Sequence, residues 1–98
     1  MADPHLTRED TETKGRYVAR VDGVEGEGEI TFSKASHTLI IVDHTGVPDS
    51  MRGMDIAAAL AERVIADARA KGQKIMPLCP FMRSYMDRHK DATADVRN

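Results

Sequence analysis

The sequence predicts a small mixed α/β (α+β) domain: an antiparallel three-strand meander, a β-α-β crossover and a short C-terminal helix. Three observations carry this. Between residues 16 and 43, short β-branched and aromatic runs are separated by turn residues. Ala57, Leu60, Ala61, Val64, Ile65 and Ala68 then recur at the spacing of one helical face. Last, the apolar run Lys74-Ile75-Met76-Pro77-Leu78 follows that helix, and a strand there reaches the sheet only by crossing back over it.

In chain order, residues 1–15 have few apolar side chains and no period, which reads as a flexible N-terminal tail whose end is free to order against the sheet. From Arg16 to Val21 the chain alternates, with Tyr17, Ala19 and Val21 facing one way. Asp22-Gly23 is a hairpin signal, because both central residues of the favoured turn need positive φ. The run Val24–Phe32 puts Gly26, Gly28, Ile30 and Phe32 on one face and Glu25, Glu27 and Glu29 on the other. Its glycines imply a bulge or a close backbone approach. The glutamate row reads as a solvated sheet face, or as an attractor for a cationic substrate. A turn at residues 33–36 leads to His37–Asp43, whose continuous run Leu39-Ile40-Ile41-Val42 predicts a strand covered on both faces.

The long helix opens after Arg52-Gly53 and ends at Lys71-Gly72, where glycine supplies a left-handed cap. Arg63, Asp67 and Lys71 are spaced for i,i+4 pairs. After the fourth strand, Phe81, Met82, Tyr85 and Met86 mark one face of a helix running to about His89. Residues 16–90 thus form one domain and residues 91–98 a C-terminal tail.

Bulk properties exclude several function classes. The 98 residues have a formal net charge of -2 with acids and bases mixed, and no basic block points to nucleic acid. No apolar run is long enough for a membrane span. One cysteine leaves no internal disulfide, so a cytoplasmic, reducing location is the expectation. Four histidines and one cysteine show no metal-ligand spacing, so no metal is expected.

The stretch His44–Lys71 organises the chain. A strand ends at His44, a turn follows at Gly46-Val47-Pro48, and a helix opens beyond Arg52-Gly53. The first amides of a helix lack internal partners and sit at the positive end of its dipole, so this succession suits a phosphate-bearing cofactor.

Three segments together resemble one family. His44-Thr45-Gly46-Val47-Pro48 precedes Arg52-Gly53, Pro77-Leu78-Cys79-Pro80-Phe81 lies one crossover later, and Arg88-His89 closes the last helix. This is similar to the small YjdJ-type branch of the GNAT N-acetyltransferase superfamily, over about residues 16–90. The resemblance implies a GNAT-like fold and acetyl-coenzyme A (acetyl-CoA) as co-substrate. It places the pyrophosphate on the loop Arg52-Gly53-Met54-Asp55-Ile56-Ala57 and the pantetheine arm along the edge from His44 through Thr45 to Val47. Arg52, Gly53 and Ala57 match the family's loop pattern, whereas Asp55 stands where the pattern has glycine. An acid within about 4 Å of a phosphate would repel it by roughly 4 kcal/mol at intermediate dielectric. That is about a thousandfold in affinity. An acid in the first turn also favours the helix dipole, and its side chain can instead turn to solvent.

The resemblance also puts Cys79 near the acetyl group, to protonate the departing thiolate or to accept the acetyl group itself. A buried, inert thiol is the other reading. His44 is a candidate base for the incoming amine or a loop-holding hydrogen-bond donor. Tyr85 reads as packing and His89 as an end-of-helix residue. The larger enzymes' two N-terminal helices have no counterpart here, so an open acceptor site for a protein or small-molecule amine is expected. Met51, Met54 and the edge of the first strand are available for a weak homodimer, with a monomer equally compatible. The alternative function is a non-catalytic GNAT-like binding module whose CoA affinity is weakened by Asp55.

Overall fold

The computed structural model describes residues 4–98. Its strands are β1 (His5–Asp10), β2 (Lys14–Arg20), β3 (Gly28–Lys34), β4 (Leu39–Gly46) and β5 (Lys74–Pro77), with helices α1 (Ile56–Lys71), α2 (Pro80–Arg88) and α3 (Lys90–Thr93). The sheet runs β1-β2-β3-β4-β5 in order. Its first four strands pair antiparallel, and β5 lies parallel to β4 after the α1 crossover. The mixed α+β architecture and the GNAT-like topology are those expected from the sequence, with one strand more.

The additional strand corrects the expected flexible tail over residues 1–15, whose first three positions lie outside the described residues. His5–Asp10 pairs with β2 along its whole length. Its inward residues are Leu6, partly buried against the core, and Arg8. The Arg8 guanidinium lies 5.2 Å from the Tyr17 ring centre and 4.9 Å from that of Phe32, so a charged residue covers the core edge. That is why a polar hexapeptide still forms a strand. Arg8 also donates to Tyr17 Oη at 2.7 Å, and Tyr17 donates to Asp67 Oδ2 at 2.7 Å. Asp67 is therefore drawn to the sheet, not into the expected pairs along α1.

The expected tight Asp22-Gly23 hairpin is instead a longer loop. Ala19 pairs with Gly28, and both Gly23 and Gly26 have positive φ. At Gly28 the close approach is real: a Cβ there would lie 2.7 Å from Ile56 Cγ2. β4 is covered on one face only, with Ile40 and Val42 buried and Leu39 and Ile41 half-exposed. The C-terminal tail is also ordered. Val96 is buried, its carbonyl accepts from Ile75 N–H at 2.6 Å, and Asn98 N–H donates to Ile75 O at 3.0 Å. Apolar Val96 in an otherwise polar segment anchors it.

Tyr17, Ala19, Ile30, Phe32, Ile40 and Val42 form one core with the buried faces of α1 and α2. Both helices thus cover one face of the sheet. The opposite face carries Arg16, Glu29, Thr31, Ser33 and Ile41 with no helix over it, and there Arg16 pairs with Glu9, Glu27 and Glu29. Met51 is buried and the β2 edge is occupied by β1, so neither serves the dimer contact expected from the sequence. Among the described residues no helix is long and apolar enough to cross a membrane.

Candidate active site

A β-bulge opens the site. Phe32 pairs with Val42 but Thr31 pairs with His44, so Asp43 is the extra residue of β4. Beyond the bulge the alternation of β4 is shifted. Thr45 joins Ile30 on the helix-covered face, and His44 joins Thr31 on the open face. At the same point β5 leaves β4. Their pairing ends at Val42 and Pro77, and Val42 O accepts from both Leu78 N–H (3.0 Å) and Cys79 N–H (3.1 Å). From His44 to Gly46 the β4 edge on the β5 side has no strand partner among the described residues.

Cys79 closes the inner side of this gap. It is buried and caps α2, its Sγ accepting from Met82 N–H at 3.2 Å. The same sulfur lies 3.2 Å from Thr45 Oγ1. The thiol is thus held between a helix N-terminus and a hydroxyl, oriented by both strands' ends. His44, one residue before Thr45, is exposed and stands on the other face of β4, where its Nε2 would lie 3.2 Å from a Cβ at Gly46. The structure therefore does not bring His44 and Cys79 together, because successive strand side chains point to opposite sides.

The loop after β4 forms a groove of about 430 Å³ with α2. A 3-10 turn at Asp49–Met51 buries Met51, and Gly53 and Asp55 then take positive φ, 82° and 57°, before α1 begins. Asp55 is thus the left-handed N-cap of α1, a conformation that aspartate tolerates better than most residues with a Cβ. Its carboxylate is exposed and caps nothing. Ala59 N–H bonds Asp55 O, and among the described residues nothing accepts from the amides of Ile56, Ala57 and Ala58. Val47, Arg52, Gly53, Asp55, Ile56 and Ala57 all line the groove. Met54 does not; it packs against the core.

The far wall comes from α2, which the sequence reading did not assign to the site. Phe81, Tyr85 and His89 stack along it, with ring centres 6.0 and 4.4 Å apart, and Arg88 lies beside them. Tyr85 donates to Glu62 Oε1 at 3.2 Å. Burial, and then the nearby Glu62 carboxylate, push its phenol above the ordinary value. The signal was the i, i+4, i+8 spacing of Phe81, Tyr85 and His89, which sits one position away from the buried stripe of Met82 and Met86.

Comparison with known proteins agrees with this geometry. The family described as GCN5-related N-acetyl-transferase matches residues 16–96. The solution structure of a GCN5-like protein from Staphylococcus aureus superposes with a TM-score of 0.66 at 29% identity, covering 95% of this chain and 88% of that one. No curated protein matches the chain. A family match spanning most of the chain, on a fold shared with that solved structure, leads to one conclusion: the chain belongs to the GCN5-related N-acetyl-transferase family.

Proposed function

We propose that the protein is an acetyl-CoA-dependent N-acetyltransferase of the small YjdJ-type branch, acting in the cytoplasm on an amine. One observation carries the reading. The unpartnered first-turn amides of α1 open onto a groove that Val47 also lines, next to the unpaired β4 edge, whose Thr45 Oγ1 lies 3.2 Å from the Cys79 sulfur. These groups fit a diphosphate followed by an amide-bearing arm: amides and helix dipole for the anion, a free strand edge for the arm's own amides.

Bound there, acetyl-CoA supplies a thioester acyl group. Ile56, Ala57 and Ala58 N–H bind the diphosphate, and Arg52, exposed in the same loop and paired with Asp49 at 3.0 Å, turns from that carboxylate to the anion. The Phe81-Tyr85-His89 wall and Val47 exclude water from the groove's apolar side. Cys79 stands at the inner end, positioned by Thr45 and Met82 N–H to protonate the leaving thiolate or take the acyl group. His44, exposed on the other face of β4, accepts the proton of the incoming amine.

Calorimetric titration with acetyl-CoA, coupled to a thiol-release assay over a panel of amines, tests this. Micromolar binding with amine-dependent release of free thiol is expected. Absence of binding at millimolar acetyl-CoA sinks the reading.

A further inference from the structure

The open face of the sheet carries a second groove, of about 570 Å³, running from β1 to β4. Its charges are nearly all matched. Glu9 pairs with Arg16 at 3.1 Å, and Asp10 with Arg8 at 2.7 Å and Lys34 at 2.9 Å. Asp43 is different. The bulge turns it out of the β3–β4 ladder; its carboxylate accepts from Ser33 Oγ at 2.7 Å, and no cation of the described residues lies within ion-pair distance. Lys14, on the opposite wall, has no carboxylate within ion-pair distance among the described residues. Directly after Asp43 comes His44, exposed on this same face at the mouth of the β4–β5 gap.

We propose that Asp43 is an acceptor-binding residue, and that the acceptor is a small amine carrying a second cationic group. This rests on the acyltransferase reading above. The reacting amine meets the acyl group at His44, and the second ammonium sits on Asp43, whose hydroxyl partner Ser33 fixes the carboxylate without neutralising it. The like charge of Lys14 keeps that ammonium at the Asp43 end. One extra residue in β4 thus serves two ends: it parts β4 from β5 for the arm, and it turns a carboxylate and an imidazole, consecutive in sequence, towards one face.

The test compares 1,5-diaminopentane with n-pentylamine on the full chain, for the parent and for Asp43→Asn, which keeps an oxygen for Ser33. Two readouts are used: kcat/KM with saturating acetyl-CoA, and chemical-shift titration of each amine into the protein alone. The second stands even if acetyl transfer is not observed, so failure here is separable from failure of the acyltransferase reading. A preference for the diamine of about two- to fivefold, lost in Asp43→Asn, is expected for one solvent-accessible charge pair. Equal response to both amines, or a preference that survives in Asp43→Asn, overturns the proposal.

Discussion

Replacing Asp55 separates two effects that the sequence leaves entangled, charge and backbone conformation. Asp55 is the N-cap of α1 at φ 57°, ψ 31°, with an exposed carboxylate that makes no cap bond. A carboxylate in solvent, about 7 Å from a phosphate at a dielectric near that of water, repels it by about 0.6 kcal/mol. That corresponds to about threefold in Kd, far below the thousandfold of a contact at 4 Å. Asp55→Asn removes the charge and keeps left-handed tolerance, so it should tighten acetyl-CoA about threefold at low salt. The gain should shrink as salt screens it. Asp55→Gly should bind as tightly as the asparagine variant, with stability changed by less than about 1 kcal/mol, since relief of strain offsets the entropy of glycine in the unfolded chain. Asp55→Ala should lose about 1 kcal/mol, because alanine tolerates the left-handed region less well than aspartate or asparagine. Isothermal titration and urea melts on the four proteins measure all of this. Binding by the glycine variant alone, with parent and asparagine variant silent, would refute the reasoning, for it would show that the Cβ and not the charge obstructs the loop.

Three further outcomes are expected. Cys79→Ala should destabilise the fold by about 1–2 kcal/mol through loss of the α2 cap and a small cavity, whereas Cys79→Ser should keep most of the stability. If both are equally inactive in thiol release yet only the alanine variant melts early, the sulfur has a chemical role apart from capping. Gly15→Ala should cost about 1–3 kcal/mol in urea melts, because its Cβ would lie 2.3 Å from Phe32 Cζ. Acid titration should expose Asp10, whose carboxyl is held far below the usual range, first by the Arg8 hydrogen bond and then, against the cost of burial, by Lys34. A carboxyl depressed in the fold contributes stability above its unfolded value near pH 4, and this is lost as pH falls towards the folded value. With the group about one-third exposed, its share is about 1 kcal/mol, and Asp10→Asn should flatten the stability profile below pH 4.

The meander, the long helix and the crossover were legible because each buries an alternating or 3.6-period stripe of aliphatic residues. β1 and the C-terminal segment were not. Their anchoring rests on Arg8, whose stem and guanidinium cover aromatic rings, and on the lone apolar Val96; neither makes a periodic pattern. The loop residues 52–57 were legible from glycine and helix-start chemistry, although Met54 turns to the core. The relation of His44 to Cys79 was not, since one bulge residue, Asp43, decides which way every later side chain of β4 points. The α2 wall was hidden for a related reason: Phe81 and Tyr85 read as core beside Met82 and Met86, and only the helix's rotation against α1 tells the two stripes apart.

The order of the sheet has a kinetic meaning. β1 to β4 join by neighbour-to-neighbour pairing across short loops, contacts that a chain finds early and at small entropic cost. The gap that holds Thr45 against Cys79 belongs instead to the parallel β4–β5 pairing, where Leu39 meets Lys74 roughly 35 positions on. Closing that span costs about 1–2 kcal/mol more than closing a hairpin loop. The meander can therefore stand as a platform on which the crossover docks last, and the same docking is the first to come undone. In native-state hydrogen exchange, the Lys74, Leu78 and Cys79 amides, which bond Thr38 and Val42 carbonyls, should open with a smaller free energy than those of β2 and β3. The end of the molecule that holds Thr45 and Cys79 would then be its most readily reopened seam, parting without any unfolding of the platform beneath.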